Sequence, residues 1–255
     1  MGGHVYTNFK VNRFSVNKTL RRGSEQYNVV TEAAGKPALT SQHVIACCGL
    51  YSDRVAVLSG CSPEPRIVPF RGEYLLLRPE KSHLVRGNIY PVPDPQFPFL
   101  GVHFTPRMDG EVWLGPNAVL ALAREGYSAT DFNWEDFKEI LRFRGLRKLV
   151  MRYWRLGTQE ALRSLLLAAQ VRQLQRFVPE LQPSDVTRGP TGVRAQAMDT
   201  DGRLIEDFVF AQGEGEMGRR ILHVRNAPSP AATSSLAIAE MVADKARDTF
   251  GWTTQ

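Results

Sequence analysis

Hydrophobic and polar residues alternate near the start of the chain. The alternation runs over residues 4–16 and again over 26–34, with a charged stretch between them at 18–23. Because successive side chains of a strand point to opposite faces, this period of two predicts a β-hairpin or meander with a charged loop. At 43–49 a short continuous apolar run ends in glycine. Such a run is typical of a strand buried on both faces of a parallel sheet, and we expect a short helix after it.

The middle of the chain changes from strand patterns to helical ones. Residues 67–116 are rich in strand and turn signals, and Met108–Gly110 separates two apolar segments as a hairpin turn would. This region is therefore predicted to be antiparallel. Two helices are predicted at 134–155 and 158–177, the second because leucines recur at a spacing of three and four residues.

The C-terminal part predicts a strand, a tight turn and a final helix. The apolar strand at 221–224 leads into a turn with Pro228 and Pro230, and a helix is predicted over 230–249. Ser229, Thr233 or Ser234 could cap that helix. Free N–H groups at the helix start favour a negative or electron-rich group, although an ordinary capped helix has the same pattern.

Composition and charge exclude several classes of protein. The 255 residues are 43% hydrophobic and 23% charged, as in globular proteins, and no apolar run approaches the length of about 20 residues that spans a bilayer. The net charge is +6, and part of the excess lies in one stretch: Arg142, Arg144, Arg147, Lys148, Arg152 and Arg155. A solvated helix face is the favoured interpretation. No nucleic-acid-binding motif occurs, so no nucleic-acid partner is predicted, while peripheral membrane association stays open.

The cysteines and histidines do not predict a metal site. Cys47, Cys48 and Cys61 have no metal-binding spacing, and the five histidines are scattered. We expect reduced, buried thiols.

Two short segments are candidates for approach by a ligand. Cys48 and Gly49 end the apolar run at 43–49, where small residues let a cofactor come close to the backbone, although a plain strand, turn and helix is the favoured interpretation of this segment alone. Arg71 lies beside Gly72 within a strand and could present a guanidinium to an anion. The alternative is a surface arginine beside a bulge.

Two further segments carry side chains suited to acid–base chemistry and carboxylate binding. On an alternating strand His103 and Thr105 share one face, and histidine can act as a general base near neutral pH. Arg194 follows two glycines in a constrained loop and could hold a carboxylate with two hydrogen bonds, with Gln196 two residues further on. The alternatives are a structural histidine and an arginine in a salt bridge.

Six segments together resemble the flavin-dependent L-2-hydroxyglutarate dehydrogenases, a family within the D-amino-acid-oxidase-like superfamily of FAD oxidoreductases. These segments are Gly49–Arg54, Arg66–Gly72, Asn88–Pro93, Gly101–Gly110, Gly189–Gln196 and Val224–Ser235. Members of the family begin with a βαβ unit that carries GxGxxG and holds the FAD pyrophosphate. Gly213–Gly218 has that spacing, but its acidic residues would repel phosphates, and we interpret it as a turn. The chain is therefore expected to be the C-terminal portion of such an enzyme.

The resemblance implies a fold class and a domain organisation. The expected class is α/β (α+β), with an incomplete FAD-binding Rossmann-like domain and an antiparallel-sheet substrate domain with helices. Residues 1–66 and 190–255 would belong to the FAD domain, and residues 67–189 to the substrate domain. The resemblance also implies a mitochondrial location, although the chain contains no recognisable targeting segment.

The implied reaction is oxidation of L-2-hydroxyglutarate, a 2-hydroxy dicarboxylate, to 2-oxoglutarate with FAD as cofactor. Arg194 would bind a substrate carboxylate, assisted by Arg71 or Gln196 and with Thr105 nearby, while His103 is the first candidate base and His223 the second. The residues expected to contact the cofactor are Cys48, Gly49, Gly72, Asn226, Ser229, Ala232, Thr233 and Ser234. The electron acceptor is not identified. The alternatives are a related FAD-dependent amino-acid oxidase and a non-catalytic, truncated interaction protein.

Overall fold

The computed structural model describes residues 2–21, 24–92 and 101–252. The chain divides into two compact units. The first unit contains Met1–Ile67, Ala197–Asp199 and Leu204–Gln255, and the second contains Val68–Gln196 and Thr200–Arg203. The FAD-domain and substrate-domain assignments made from the sequence stay predictions.

Eleven strands and six α-helices are named here in chain order. The strands are β1 (Val11–Arg21), β2 (Ser24–Ala33), β3 (Leu39–Ser41), β4 (Val44–Ala46), β5 (Arg66–Leu77), β6 (His103–Pro106), β7 (Val112–Gly115), β8 (Val119–Leu120), β9 (Val186–Met198), β10 (Val209–Ala211) and β11 (Ile221–Asn226). The helices are α1 (Ser52–Leu58), α2 (Trp134–Arg142), α3 (Arg144–Leu165), α4 (Leu167–Leu174), α5 (Gly215–Gly218) and α6 (Ser235–Phe250).

The first sheet of the first unit is antiparallel, in the order β1-β2-β3. The predicted hairpin is confirmed, but β1 continues through Arg21 into the stretch that was expected to be a loop. Lys18 lies opposite Tyr27 and forms a salt bridge with Glu25 on β2. The charged side chains therefore lie on a solvated part of the hairpin and do not interrupt it.

The second sheet of the first unit contains the parallel pair that the sequence predicts. Its order is β10-β11-β4, and β11 is antiparallel to β10 and parallel to β4, with His223 opposite Ala46. Helix α1 follows β4, as expected. The expectation that β4 is buried on both faces is wrong within the described residues, because Ile45 is 39% exposed.

The second unit is built on a five-stranded sheet. Its order is β6-β7-β5-β8, and β9 also pairs with β5. The predicted hairpin between β6 and β7 is confirmed, with Thr105 opposite Trp113. One face of the sheet packs into a hydrophobic core that includes α4; its members include Leu75, Leu77, Phe104, Leu114, Val171 and Leu174. By alternation the opposite face of β5, β6 and β7 carries Gly72, Tyr74, His103, Thr105 and Trp113.

The helices of the second unit break where the apolar pattern does not predict it. Asn133 accepts hydrogen bonds from the N–H groups of Glu135 and Asp136 and so begins α2. Phe143 is extended and buried, and it separates α2 from α3. Helix α3 then runs to Leu165, but it is kinked at Tyr153, which has non-helical φ −124° and ψ 25°, close to the break that was expected between residues 155 and 158.

The final helix begins five residues later than predicted, at Ser235. Residues 230–235 form a turn in which Ser234 N–H donates to the Pro230 carbonyl, at 3.0 Å. Ser234 is the N-cap residue, but its side chain makes no capping hydrogen bond, so that expectation is not met. None of the helices in the described part of the chain has the length and apolar character needed to cross a bilayer. Parallel and antiparallel sheets with packed helices confirm the α/β (α+β) class.

Candidate functional site

In the first unit, the candidate cofactor residues follow the carboxyl ends of two adjacent strands. Strand β4 ends at Ala46 and strand β11 ends at Asn226. Because the two strands are parallel, their carboxyl ends point to the same edge of the sheet. Ser52 Oγ donates to the Arg225 carbonyl at 2.9 Å and ties the start of α1 to the end of β11. This edge is where open α/β sheets bind their ligands.

The backbone is accessible at the β4 end of this edge. Gly49 has φ +49°, and a Cβ added there would meet no atom within 4 Å. Cys47 is exposed, contrary to the expectation of buried thiols, and Cys48 is half-buried. Burial raises the pKa of both thiols, so both stay protonated at neutral pH. The edge therefore presents small, uncharged groups to a ligand.

At the β11 end, the candidate residues fall into two groups. The Asn226 side chain is buried, and its Nδ2 donates to the carbonyls of Ile205, at 3.1 Å, and Asp207, at 2.7 Å. Asn226 therefore holds the segment before β10, and both hydrogens of its side-chain amide are used within the protein. The remaining candidates lie in the turn before α6, where three are exposed and the last is half-buried: Ser229, Ala232, Thr233 and Ser234.

His223 is buried within the first unit, with an exposed fraction of 1%. Its Nε2 lies 2.6 Å from Ser59 Oγ, and Ser59 Oγ donates its hydrogen to the Ala56 carbonyl. This arrangement favours the tautomer in which His223 donates its Nε2–H to Ser59. Burial, and then the charge of Arg225, lower the pKa of His223 to about 4. A general base must reach the proton that it removes, so this burial argues against His223 as the base.

His103 lies in a more open environment in the second unit. It is half-buried on the sheet face opposite the core, and the centroid of its ring is 4.4 Å from that of Tyr90. Burial, and then the positive charge of Arg194, lower the pKa of His103. His103 is therefore neutral at physiological pH and can accept a proton.

Tyr90 was not among the residues selected from the sequence. Hydrogen bonds of 3.0 Å in both directions between Ile89 and Phe104 hold its segment against β6. A Cβ at Gly101 would lie 2.8 Å from Pro91 Cγ, so glycine is needed for this close approach. The clue in the sequence was the position of Tyr90 in Asn88–Pro93, one of the segments that carry the family resemblance.

One of the predicted carboxylate ligands acts electrostatically on His103. Arg194 is half-buried on β9, and its charge acts on His103. Gln196, two residues later, is also half-buried. Thr105 is half-buried and, by alternation, lies on the same face as His103. The candidate base and the candidate carboxylate ligand therefore both belong to the second unit, and the charge of one acts on the other.

Arg71 lies on the other face of the sheet. It is 6% exposed, and its Nε and Nη2 donate to Glu73 Oε1 at 3.1 and 2.8 Å. Its Nη1 donates to the Ser128 carbonyl at 2.9 Å. By alternation Arg71 shares its side of β5 with the core residue Leu75, whereas Gly72 lies on the His103 side. This placement disfavours direct binding of substrate by Arg71.

Glu73 is the centre of a buried polar network. Its Oε2 accepts hydrogen bonds from Asn117 Nδ2 at 2.9 Å and from Ser164 Oγ at 2.6 Å. Burial alone would raise the pKa of Glu73, but the hydrogen bonds from Ser164, Asn117 and Arg71, with the charge of Arg71, outweigh it and lower the pKa. Glu73 is therefore a fixed anion that neutralises Arg71.

Arg225 is a second buried arginine, which sequence reasoning missed. It is 2% exposed, and its guanidinium donates to three carbonyls, those of Ser62, Pro63 and Pro65, at 3.0, 3.4 and 2.7 Å. Its Nε has no hydrogen-bond partner.

Among the described residues no group of three His, Cys, Asp or Glu side chains could hold a metal ion.

Comparison with known proteins gives the family. A family model described as FAD dependent oxidoreductase matches residues 1–245. The L-2-hydroxyglutarate dehydrogenase, mitochondrial, of Nematostella vectensis is 58% identical over 254 residues, which are 98% of this chain and 56% of that protein. The human protein of the same name is 56% identical over 252 residues, 98% of this chain and 54% of that protein. The chain thus spans about half the length of the curated relatives it matches.

A solved structure is similar in fold. L-alpha-glycerophosphate oxidase from Mycoplasma pneumoniae, with FAD bound, superimposes with a TM-score of 0.57 at 16% identity, over 96% of this chain and 51% of that chain. The curated relatives confirm the resemblance that the six sequence segments indicated. Since the family model covers nearly its whole length, the chain belongs to the FAD dependent oxidoreductase family.

Proposed function

We propose that the protein acts in the FAD-dependent oxidation of L-2-hydroxyglutarate to 2-oxoglutarate. The observation that carries the proposal is the placement of His103, half-buried on the sheet face opposite the core with its ring 4.4 Å from that of Tyr90, where the positive charge of Arg194 acts on it. This chemistry suits a substrate with a hydroxyl group next to a carboxylate. The names of the curated relatives support the same substrate, and they support a mitochondrial location.

The first unit fits part of a flavin-binding surface. Space is open above Gly49, the Cys48 thiol is uncharged, and the residues before α6 are small. Cys48, Gly49 and the turn from Ser229 to Ser234 would hold the cofactor. Bound FAD would supply the redox chemistry by accepting a hydride from the substrate.

The side chains of the second unit would bind and deprotonate the substrate. Arg194 would bind the carboxylate next to the hydroxyl group with two hydrogen bonds. That carboxylate cancels the positive charge that lowers the pKa of His103, so His103 becomes a stronger base when substrate is bound. An imidazole nitrogen of His103 would then take the hydroxyl proton. Binding of the substrate carboxylate to Arg194 would thus itself make His103 basic enough to take the hydroxyl proton.

The test is cofactor retention followed by turnover. The chain is incubated with excess FAD and desalted, and visible flavin absorbance is measured before L-2-hydroxyglutarate is added. D-2-hydroxyglutarate and L-glutamate are the controls, because turnover of L-glutamate instead would indicate an amino-acid oxidase. If the chain does not retain FAD, the same assays use a fusion to the part of the Nematostella vectensis relative outside the match.

Arg194→Lys tests the carboxylate site directly. Lysine keeps the charge but loses the two-point hydrogen bond, so KM should rise about tenfold or more with a smaller change in kcat. Arg172→Lys on the exposed side of α4 is the matched control. Equal KM values in all three proteins would remove Arg194 from the proposal.

We also propose a peripheral contact with anionic membranes through residues 142–155. This stretch has no acidic residue, and Met151 and Trp154 are 71% and 57% exposed beside its arginines. Exposed aromatic and basic side chains together favour a lipid interface. Sedimentation with anionic vesicles should carry the protein down, and neutral vesicles should not. Equal binding to both, or stronger binding to RNA, would contradict this contact.

A further inference from the structure

The Arg71–Glu73 pair is connected to the strand that carries Arg194. Arg71 Nη1 donates to the Ser128 carbonyl at 2.9 Å. The carbonyl of the preceding residue, Tyr127, accepts a hydrogen bond from the Thr191 hydroxyl. The Tyr127–Ser128 turn is thus held from β5 on one side and from β9 on the other. Thr191 precedes Arg194 by three residues on the same strand.

The buried end of this connection is rigid. Both carboxylate oxygens of Glu73 are occupied, by Arg71 on one and by Asn117 and Ser164 on the other. Asn117 Oδ1 also accepts the backbone N–H of Glu73 at 2.9 Å, so the carboxylate cannot rotate away. A planar guanidinium held by this carboxylate presents its remaining donors in a fixed direction. That direction leads to the Ser128 carbonyl.

The exposed end is the weaker part of the connection. Tyr127 is 49% exposed and Thr191 is exposed, whereas Arg71 and Glu73 are 6% and 8% exposed. The stretch before Arg194 contains Gly189 and Gly192. Glycines increase backbone freedom. The hydrogen bond from Thr191 to a fixed turn therefore restricts a segment that would otherwise be free to move.

We propose that Arg71 and Glu73 are positioning residues for Arg194. Glu73 fixes Arg71, Arg71 fixes the Tyr127–Ser128 turn, and the turn holds Thr191 and the strand segment that leads to Arg194. Arg71 itself does not touch the substrate. The inference deepens the proposed function and rests on it for the role of Arg194, while the mechanical connection stands on the hydrogen bonds alone.

Amide hydrogen exchange on the 255-residue chain tests the connection without any need for activity. Arg71→Lys keeps the buried charge but cannot bridge Glu73 and Ser128, and Thr191→Val cuts the link at its exposed end. Both variants should speed exchange in residues 187–196 by about tenfold while the β1–β2 hairpin is unchanged. Thr158→Val is the matched control, because Thr158 likewise donates to a carbonyl, that of Arg155, at 2.8 Å on an exposed helix.

Kinetics of the FAD-loaded enzyme separate positioning from contact. Thr191→Val should raise KM for L-2-hydroxyglutarate by about threefold to tenfold and leave kcat nearly unchanged. The inference is overturned if Thr191→Val leaves exchange at 187–196 unchanged. It is also overturned if Arg71→Lys raises KM with no change in exchange, since Arg71 would then bind the substrate. Should Arg71→Lys fail to fold, the exposed Thr191→Val variant decides alone.

Failure of the proposed function has a different signature. If Arg194→Lys leaves KM unchanged, the role of Arg194 is lost, yet faster exchange in Thr191→Val would still establish the connection between the turn and β9. If Arg194→Lys raises KM but Thr191→Val alters neither exchange nor KM, the carboxylate site stands and the positioning role falls.

Discussion

His103 and His223 both lie on strands, and the sequence makes both of them candidate bases, but their surroundings differ. His223 is 1% exposed on β11, where all six residues are buried, and its Nε2 is hydrogen-bonded to Ser59 Oγ. His103 lies half-buried at the start of β6, beside Tyr90 and within reach of the charge of Arg194. Burial lowers the pKa of both residues. Of the two, only His103 combines a neutral ring with partial exposure, so access favours His103 as the proposed base and His223 as a structural histidine.

The largest expected effect comes from removing the accessible histidine. His103→Gln should lower kcat by about 10²-fold to 10⁴-fold and abolish the acidic limb of the pH profile of kcat/KM. Steady-state kinetics from pH 5 to 9, a range of about four pH units, measures both the fall in kcat and the pH profile of kcat/KM. His83→Gln, at an exposed histidine, is the control. A retained acidic limb in His103→Gln would assign the base elsewhere.

The buried histidine should instead control stability in acid. Its folded pKa of about 4 lies below the ordinary value of 6.5, so the unfolded chain takes up a proton first as the pH falls. The contribution of neutral His223 to the free energy of unfolding is therefore fully present above pH 6.5 and is lost as the pH falls from 6.5 to 4. It amounts to about 3 kcal/mol.

Urea unfolding at neutral and acidic pH measures this contribution. His223→Gln keeps a donor for Ser59 but does not titrate, so it should remove most of the loss in free energy of unfolding within that window. Glu73 has a lowered pKa and loses its contribution at lower pH, which separates the two effects. An unchanged pH dependence in His223→Gln would show that other groups dominate.

A smaller effect is expected from the partner of the buried histidine. Ser59→Ala leaves the Nε2–H of His223 without an acceptor in a buried site and should cost about 2 kcal/mol in free energy of unfolding. Ser62→Ala, which removes an exposed hydroxyl that accepts from the Glu64 N–H, should cost less than about 0.5 kcal/mol. Similar losses in free energy of unfolding in both variants would mean that the buried Ser59 hydrogen bond stabilises the fold no more than the exposed Ser62 one.

The smallest effect concerns the cover over the accessible histidine. Tyr90→Ala exposes the ring of His103 to water, so the pKa of His103 should rise toward its ordinary value. Histidine resonances followed by NMR titration measure it directly. Tyr90→Phe keeps the ring and should leave the pKa unchanged. A fall in pKa in Tyr90→Ala would contradict burial as the main cause.

Strand positions were predictable from the chain, because alternation and turn residues act locally. The hairpin around Met108–Gly110 and the short strand β4 followed by helix α1 follow from such local patterns. The same alternation already placed Arg71 on the side of Leu75, so its distance from the His103 face could have been inferred from the sequence.

Other features depend on distant partners and could not be predicted. The extended Phe143 that ends α2 is fixed by its burial in the folded protein. Ser59 forms a hydrogen bond with His223, which lies 164 positions away in the sequence, and no local pattern predicts that contact. For the same reason Tyr90 was passed over, since its importance comes from a ring that lies elsewhere in the sequence.

The three carbonyls around Arg225 have a consequence for the cell. Any replacement of this buried residue removes the donors of three carbonyl oxygens, and lysine cannot reach all three with the same geometry. A substituted chain would spend more time unfolded and be removed by quality-control proteases. Missense variants at Arg225 should therefore reduce how much folded protein accumulates.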